Sequence, residues 1–201
     1  GKLADEVEQS FDPRYNKYLN YKPSFVRTDI ASIGSGQDPI YTESTPMQEK
    51  IKSIFSSRES PQAAYDAINR GSGGDTPGGA TKRYGKPLTQ MTLGEVKQLQ
   101  ATELNAVGKY QFIETTLRDA AADAGISDDM LFNEAVQDRI FFVHLDKYGA
   151  YNPWERWWIE QGGSHLALSN KEKQIIETFR DSYDPSKPWR QPRNMRPELM
   201  G

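Results

Sequence analysis

Three short sequence patterns of the kind that begin α-helices divide this chain of 201 residues. In each pattern a Ser or Thr is followed three residues later by Gln or Glu, and the two side chains can satisfy backbone N–H groups at the start of a helix. Each pattern precedes apolar residues spaced three and four apart, which form one buried face of a helix. The patterns begin at Thr45, Thr92 and Ser169. They predict a mainly helical fold.

The apolar spacing gives approximate bounds for five helices. The first is expected to end near Arg58, because Pro61 cannot continue it comfortably. Its predicted buried face comprises Met47, Ile51, Ile54 and Phe55. The others are expected from Leu93, from Glu114 to Ala124 with Gly125 as the stop, from Ser127 or Asp128 to about Gly149, and from Ser169 to Tyr183. The fourth is the most apolar, so we expect it to be the central helix.

The remaining segments have no helical period. Residues 66–91 contain many glycines and are expected to form a long loop or a short irregular sheet, and long ordered loops are often functional. Residues 1–44 are interrupted by Pro13, Pro23 and Pro39, and the segment after Tyr183 is rich in proline. We therefore expect an extended N-terminal arm (1–44), a helical domain (45–183) and a proline-rich C-terminal tail (184–201).

Composition narrows the class of protein. The net charge of −3 argues against binding nucleic acid through a broad basic face. The chain has no Cys, so it can form neither a disulfide nor a thiolate metal site. It contains no apolar run of the ~20 residues that span a bilayer. Aromatic residues reach 11% in a chain that is only 36% hydrophobic, which suits a small core or a sugar-binding cleft.

Glu59 stands at the predicted end of the first helix, followed by Ser60 and the glycine-rich segment. Most Glu residues are solvated surface carboxylates. A helix C-terminus, however, carries partial negative charge on unpaired carbonyl groups. That charge favours the protonated form of a nearby carboxyl group, and a general acid needs this form.

Two further segments carry a resemblance to a known family. They are "RES" at 58–60 and "GKYQF" at 108–112, and the second is followed by "QDR" at 137–139. In this order the chain resembles the lysozyme-like superfamily, specifically the soluble lytic transglycosylases and the lambda-endolysin type. The resemblance covers about forty residues, from Ala106 to Leu145.

The resemblance implies a mainly α (α+β) lysozyme-like fold with a long loop or small β-hairpin beside a cleft. It implies that Glu59 is the catalytic acid that cleaves the β-1,4 bond between N-acetylmuramic acid and N-acetylglucosamine in peptidoglycan, without a cofactor or metal. The substrate-binding residues that it suggests are Ser60, Asn69, Gly108, Tyr110 and Gln111. Alternatives stay open for several of them: Ser60 and Asn69 suit a cap or a loop, and Tyr110 suits core packing.

A further substrate contact is suggested by "AYN" at 150–152, since many soluble transglycosylases carry these residues near the catalytic Glu. Tyr151 would then approach the acid. Pro153 replaces the small residue usual after this motif, and short motifs also arise by coincidence.

The reaction type depends on whether a second carboxylate takes part. Most glycosidases use two, whereas lytic transglycosylases are similar to substrate-assisted enzymes and need one. The available carboxylates are Asp66, Asp75, Glu95 and Glu103, and their spacing singles out none of them. This favours a transglycosylase that produces 1,6-anhydro ends, with a water-using muramidase as the alternative.

The irregular ends suggest where such a domain would act. We expect a phage virion or tail component that acts in the bacterial periplasm and aids penetration of the cell wall, with its arms contacting other virion proteins. Acidic net charge suits a tethered enzyme better than a freely diffusing one, because peptidoglycan is anionic. Alternatives are a structural virion protein with this fold and a non-catalytic carbohydrate-binding module. "WERWW" at 154–158 suits a packed corner or partner surface, and His144 a satisfied core position.

Overall fold

The computed structural model describes residues 13–23, 44–60, 63–150, 161, 166–187 and 189. These residues are mainly helical with one small antiparallel sheet, in agreement with the predicted class. The helices are α1 (Pro13–Asn16), α2 (Pro46–Glu59), α3 (Gly79–Tyr84), α4 (Leu93–Thr102), α5 (Glu114–Ala124), α6 (Glu134–Tyr148) and α7 (Asn170–Ser182). The strands are β1 (Ile68–Asn69), β2 (Ala106–Val107) and β3 (Phe112–Ile113).

Helix α2 begins and ends where its local sequence requires. The Thr45 side chain accepts the N–H of Gln48, and the Gln48 side chain accepts the N–H of Thr45 at 2.8 Å, as the pattern predicts. The helix ends at Glu59, because Ser60 leaves helical geometry with φ −145° and ψ 59°. Ile51, Ile54 and Phe55 are buried. The prediction for Met47 is wrong, since it is 37% exposed in the first turn, where Gln48 is buried instead.

The sheet joins two distant parts of the chain. Its strand order is β1-β2-β3, and Val107 in the central strand pairs with Ile68 on one side and Phe112 on the other. The β2–β3 turn consists of residues 108–111. Its first residue, Gly108, has φ +82°, and its last, Gln111, has φ +52°, a strained value for a residue with a side chain. Residues 66–91 thus contribute β1 and also the short helix α3, which the sequence pattern did not indicate.

Helix α5 has the predicted bounds, but α6 begins later than predicted. Gly125 ends α5 in the left-handed conformation, with φ +76°. Helix α6 starts at Glu134, capped by the Asn133 side chain, and not at Ser127 or Asp128. The residues before it form backbone hydrogen bonds with the start of α4: Leu93 N–H donates to Met130, and Phe132 N–H donates to Met91, both at 2.8 Å. These bonds take the place of a helical turn.

Helix α6 lies at the centre of the domain. Its residues Ile140, Phe142 and Val143 are buried, and α5 and α7 pack against it. Helix α7 also packs against α2, and Arg58 donates to Glu172 across that contact at 2.9 Å. The predicted capping box at Ser169 and Glu172 is present. Among the described residues, no helix combines the length and apolar character that crossing a bilayer requires.

Part of the expected N-terminal arm packs on this domain. Tyr18 is 9% exposed and donates to the buried carboxylate of Asp146 on α6, while Lys17 donates to the same carboxylate at 2.6 Å. Arg139 of α6 donates to the hydroxyl of Tyr21 and to the carbonyl of Pro185, which brings the segments before and after the domain together. Trp189, in the expected tail, is 3% exposed.

Candidate active site

The end of α2 opens onto a cleft. Glu59, its last residue, is partly buried and lies in the wall of a cavity of about 630 Å³. This volume falls in the range of roughly 300–1,000 Å³ that small-ligand sites occupy. Helix α2 contributes Glu59 and Phe55, the sheet contributes Asn69, and the β2–β3 turn contributes Gln111. The two groups on which the sequence prediction depends, Glu59 and Gln111, therefore line one cleft.

The lining of the cleft is mixed. Its polar side chains are Glu59, Asn69, Asp75, Asn105, Gln111, Thr116 and His144. Its apolar and aromatic members include Phe55, Ala106, Tyr110, Phe112, Ile113, Phe141, Leu145, Ala150 and Leu166. A sugar ring presents hydroxyl groups at its edge and C–H bonds on its faces, so such a lining offers both kinds of contact.

Gln111 is held by hydrogen bonds within its own turn. Its Nε2 donates to the carbonyl of Gly108 at 2.9 Å and to that of Ala67 at 3.3 Å. Both donors of the amide are therefore in use, and Oε1 is the group left to accept a hydrogen bond from a ligand. An N–H or hydroxyl group of a sugar would satisfy it.

Tyr110 lines the cleft with its ring but directs its hydroxyl into the domain. The ring stacks on Phe141 with centroids 3.9 Å apart, and the hydroxyl donates to Asp138 at 2.6 Å. Burial raises the pKa of Tyr110 above its ordinary range, and the charge of Asp138 raises it further, so the phenol stays protonated. The core-packing alternative therefore describes most of this residue's contacts.

Ser60 connects the two walls of the cleft, whereas Gly108 packs against α6, and neither residue is part of the cleft lining. Ser60 is 6% exposed, and its hydroxyl donates to the carbonyl of Lys109 at 2.6 Å. Gly108 is buried against Gln137, and a Cβ at this position would lie 3.1 Å from the Gln137 side-chain carbon. The described contacts of both residues are thus with the protein itself, whereas the sequence prediction assigns them to the substrate.

Asn69 lies in the cleft beside a carboxylate that sequence reasoning did not single out. Its Nδ2 donates to Asp75 at 2.8 Å, and its Oδ1 accepts the N–H of Gly71 at 2.8 Å. Asp75 also lines the cleft. The only sequence signal for it is its place in the glycine-rich segment that follows Glu59.

The other three carboxylates considered as a second catalytic group are engaged elsewhere. Asp66 accepts the N–H groups of Thr81 and Leu88, both at 2.9 Å. Glu95 pairs with Lys86, and Glu103 accepts from Tyr84. Of the four, Asp75 is the one that lines the cleft.

His144 differs from its expected place in the core. It is partly exposed and lines the cleft, and its buried Nδ1 atom has no hydrogen-bond partner among the described residues. Burial and the nearby charge of Lys147 lower the pKa of His144 to about 4, so the ring is neutral near neutral pH.

Tyr151 and residues 154–158 lie outside the described residues.

The described part of the chain contains no cluster of His, Asp and Glu that could hold a metal ion. No protein-family model, no curated protein and no solved structure matches this chain significantly.

Proposed function

We propose that this protein cleaves the β-1,4 bond between N-acetylmuramic acid and N-acetylglucosamine in bacterial peptidoglycan, with Glu59 as the proton donor. The proposal extends to a lysozyme-like fold of the lytic-transglycosylase type. The observation that carries it is the common cleft of Glu59 and Gln111, which two separate parts of the chain bring together. The small sheet beside that cleft fits the same fold.

The position of Glu59 suits a general acid. It is the last residue of a helix of 14 residues, where backbone carbonyls carry partial negative charge. Glu59 is partly buried in the wall of the cleft, which Phe55 and Phe141 also line. From this position its carboxyl group would meet the leaving oxygen of a sugar bound in the cleft.

The reaction needs one carboxyl group in two roles. The Glu59 carboxyl donates its proton to the glycosidic oxygen as the bond from that oxygen to C1 of the muramic residue breaks. The acetamido oxygen of the same sugar stabilises the positive charge at C1. The 6-hydroxyl then attacks C1, and the Glu59 carboxylate takes up the hydroxyl proton, which regenerates the acid and leaves a 1,6-anhydro end.

Gln111 would bind the substrate beside the acid. Its Oε1 is the acceptor left after both donors bond within the turn, so it suits the N–H of an acetamido group. The rings of Phe55, Phe112 and Phe141 are buried in the apolar part of the lining beside it.

A muramidase that uses water is the second candidate reaction, and one observation favours it. Asp75 lines the same cleft as Glu59 and would be the second carboxylate such a reaction requires. The Asn69 amide that donates to Asp75 would orient it. The two reactions share Glu59 and differ in their products.

The proposed setting is a phage virion or tail that acts on the cell wall in the bacterial periplasm, with the terminal arms contacting other virion proteins. A structural virion protein with this fold and little activity is the alternative. Co-elution of the intact chain with candidate virion proteins, together with equal inertness of wild type and variants on peptidoglycan, would support that alternative.

The test of the proposed activity compares two Glu→Gln changes on one helix. Glu59→Gln removes the acid, whereas Glu49→Gln changes an exposed residue in the first turn of α2. We expect purified peptidoglycan and chloroform-treated Gram-negative cells to be cleared by wild type and Glu49→Gln, and about 10²–10⁴-fold more slowly by Glu59→Gln. Equal clearing by all three would exclude Glu59 as the acid. Mass spectrometry of the sugar products separates 1,6-anhydro ends from reducing ends, which are heavier by one water.

A further inference from the structure

Two consecutive residues of α6, Gln137 and Asp138, contact chain segments from both walls of the cleft. Neither lines the cleft itself. One wall comprises α2 with Glu59 and the segment that follows it, and the other comprises the β2–β3 turn with Gln111. The residues that hold these two walls at a fixed separation therefore influence the distance between the Glu59 carboxyl group and the Gln111 amide.

Asp138 accepts three hydrogen bonds from three different segments. Lys52 of α2 donates at 2.8 Å, the Tyr65 hydroxyl at 3.0 Å and the Tyr110 hydroxyl at 2.6 Å. Lys52 lies two turns before Glu59 on the same helix, and Tyr110 precedes Gln111. One carboxylate thus connects the helix of the candidate acid to the turn of the candidate amide.

Gln137 makes a parallel set of bonds through its amide. Its Oε1 accepts the N–H of Lys109 at 3.0 Å, and its Nε2 donates to the carbonyls of Tyr65 and Phe132, both at 3.0 Å. The side chain is fully buried, so every one of these groups would lose a partner if the amide were removed. Together the two residues hold both the hydroxyl and the carbonyl of Tyr65.

In this cluster the positive charge of Lys52 is paired with the negative charge of Asp138. Burial alone would lower the pKa of Lys52, but its hydrogen bond and charge interaction with Asp138 raise it above the ordinary range. Burial, then the charge of Asp138, raises the pKa of Tyr65. Lys52 therefore stays charged and the phenols stay hydrogen-bond donors across the pH range in which a cell-wall enzyme works.

We propose that Gln137 and Asp138 are positioning residues that fix the separation of Glu59 and Gln111 by bonding Lys52, Tyr65, Lys109 and Tyr110. The effect of these two residues on catalysis rests on the proposed function, whereas their role in holding the cleft walls at a fixed separation does not. Positioning is worth much in catalysis, since a displacement of ~1 Å costs roughly 10²-fold in rate.

The same helix provides a matched control. Asp146, eight residues after Asp138, is a fully buried carboxylate that, like the partly buried Asp138, accepts from a lysine and a tyrosine, here Lys17 and Tyr18. Its partners belong to the N-terminal segment and not to the cleft. Asp138→Asn and Asp146→Asn therefore make the same chemical change on one helix. Because Asp146 is the more deeply buried of the two, a purely structural role predicts an effect at Asp146 at least as large as that at Asp138.

The test uses the intact chain and two readouts. Hydrogen–deuterium exchange is followed by mass spectrometry in residues 63–69 and 105–113, and kcat and KM are measured on soluble peptidoglycan fragments. We expect Asp138→Asn to accelerate exchange in both segments and to lower kcat by about 10–100-fold, with KM within about twofold. We expect Asp146→Asn to accelerate exchange in residues 13–23 and to leave kcat within about twofold.

Two results would overturn the inference: unchanged exchange in both cleft segments of Asp138→Asn, or an equal loss of kcat in the two variants at equal folded fraction. Tyr110→Phe is a milder variant, since it removes one bond to Asp138 and keeps the ring that stacks on Phe141. It should accelerate exchange in residues 105–113 alone. If wild type cleaves nothing, the proposed function fails while the exchange comparison still decides whether the pair holds the walls.

Discussion

The hydroxyl of Ser60 donates to the backbone carbonyl of Lys109 at 2.6 Å. The residue directly after the candidate acid is thereby bonded to the turn that carries Gln111, although 49 positions separate the two in sequence. Ser60 is 6% exposed, so the bond is shielded from water. This contact joins the end of α2 directly to the β2–β3 turn.

Ser60→Ala should lower the free energy of unfolding by about 1–2 kcal/mol, because the shielded Lys109 carbonyl loses its side-chain donor. Urea unfolding measures this. Ser57→Ala is the control, since the Ser57 hydroxyl is exposed and bonds only to Ile54 in its own helix, and it should change stability by less than about 0.5 kcal/mol. If Ser60 binds substrate instead, its variant will keep full stability and raise KM.

A comparison of the long-range Ser60 contact with the helix caps indicates which features of the fold can be predicted from the sequence. Caps are local: Thr45 bonds to Gln48, and the stop at Gly125 needs only a left-handed residue. The start of α6 was misplaced because the bonds that replace its first turns involve Met91 and Leu93, far back in the chain. The prediction that His144 lies in the core was wrong for a related reason. The packing of other elements decides which face of α6 borders the cleft, and the sequence of α6 alone does not reveal it.

The residues of the candidate site could likewise be predicted from the sequence only in part. A resemblance in "RES" and "GKYQF" pointed to Glu59 and Gln111, and both line the cleft. No spacing rule could select Asp75 from four carboxylates, because only the folded chain shows that Asp75 lines the cleft while Asp66, Glu95 and Glu103 form their bonds elsewhere. Sequence spacing could not identify Asp138 either, because Asp138 accepts a hydrogen bond from the Tyr110 hydroxyl across 28 positions of sequence.

Asp75→Asn separates the two proposed reactions. If the substrate's 6-hydroxyl attacks C1, no second carboxylate is needed, so we expect less than a tenfold loss of rate and unchanged 1,6-anhydro products. The Asn side chain still offers an oxygen to the Asn69 amide, which preserves the local hydrogen bond. Product masses and initial rates on purified peptidoglycan measure both quantities.

The opposite result assigns the protein to the hydrolases. A loss of about 10² or more in Asp75→Asn, with reducing ends as the wild-type product, would identify Asp75 as the group that activates water or stabilises the cation. Glu103→Gln serves as the control, because Glu103 is a carboxylate outside the cleft that accepts from Tyr84.

Gly108→Ala tests the close packing under the β2–β3 turn. Gly108 has φ +82°, and a Cβ there would lie 3.1 Å from Cδ of Gln137 and 3.3 Å from the ring of Phe132. Gly85→Ala is the matched control, with φ +73° and nothing within 4 Å of the added atom. We expect a loss of about 1 kcal/mol from backbone strain at Gly85, and about 2–4 kcal/mol at Gly108, where overpacking adds to the strain. Equal losses would mean that Gln137 moves away freely.

His144 should make stability depend on pH between 6.5 and about 4. Burial and the charge of Lys147 lower its pKa from the ordinary 6.5 to about 4, so the unfolded chain takes up a proton that the folded chain does not. The stabilisation is therefore complete above pH 6.5 and is lost as the pH falls through this window. We expect a loss of between about 1 and 3 kcal/mol by pH 4, the lower figure because the ring is partly exposed.

The measurement is the difference between wild type and His144→Phe in urea unfolding at several pH values. Phe keeps a ring against Tyr148, whose centroid lies 5.0 Å from that of His144. It also removes the Nδ1 atom, which has no hydrogen-bond partner in the part of the chain that the structure describes. Carboxylates titrate in both proteins and cancel in the difference, so the component that remains belongs to His144. Because burying an unpaired polar atom costs about 1–3 kcal/mol, the variant should also equal or exceed wild type in stability at pH 7. Parallel pH curves for the two proteins would mean that the imidazole ionises in the folded state as readily as in the unfolded chain.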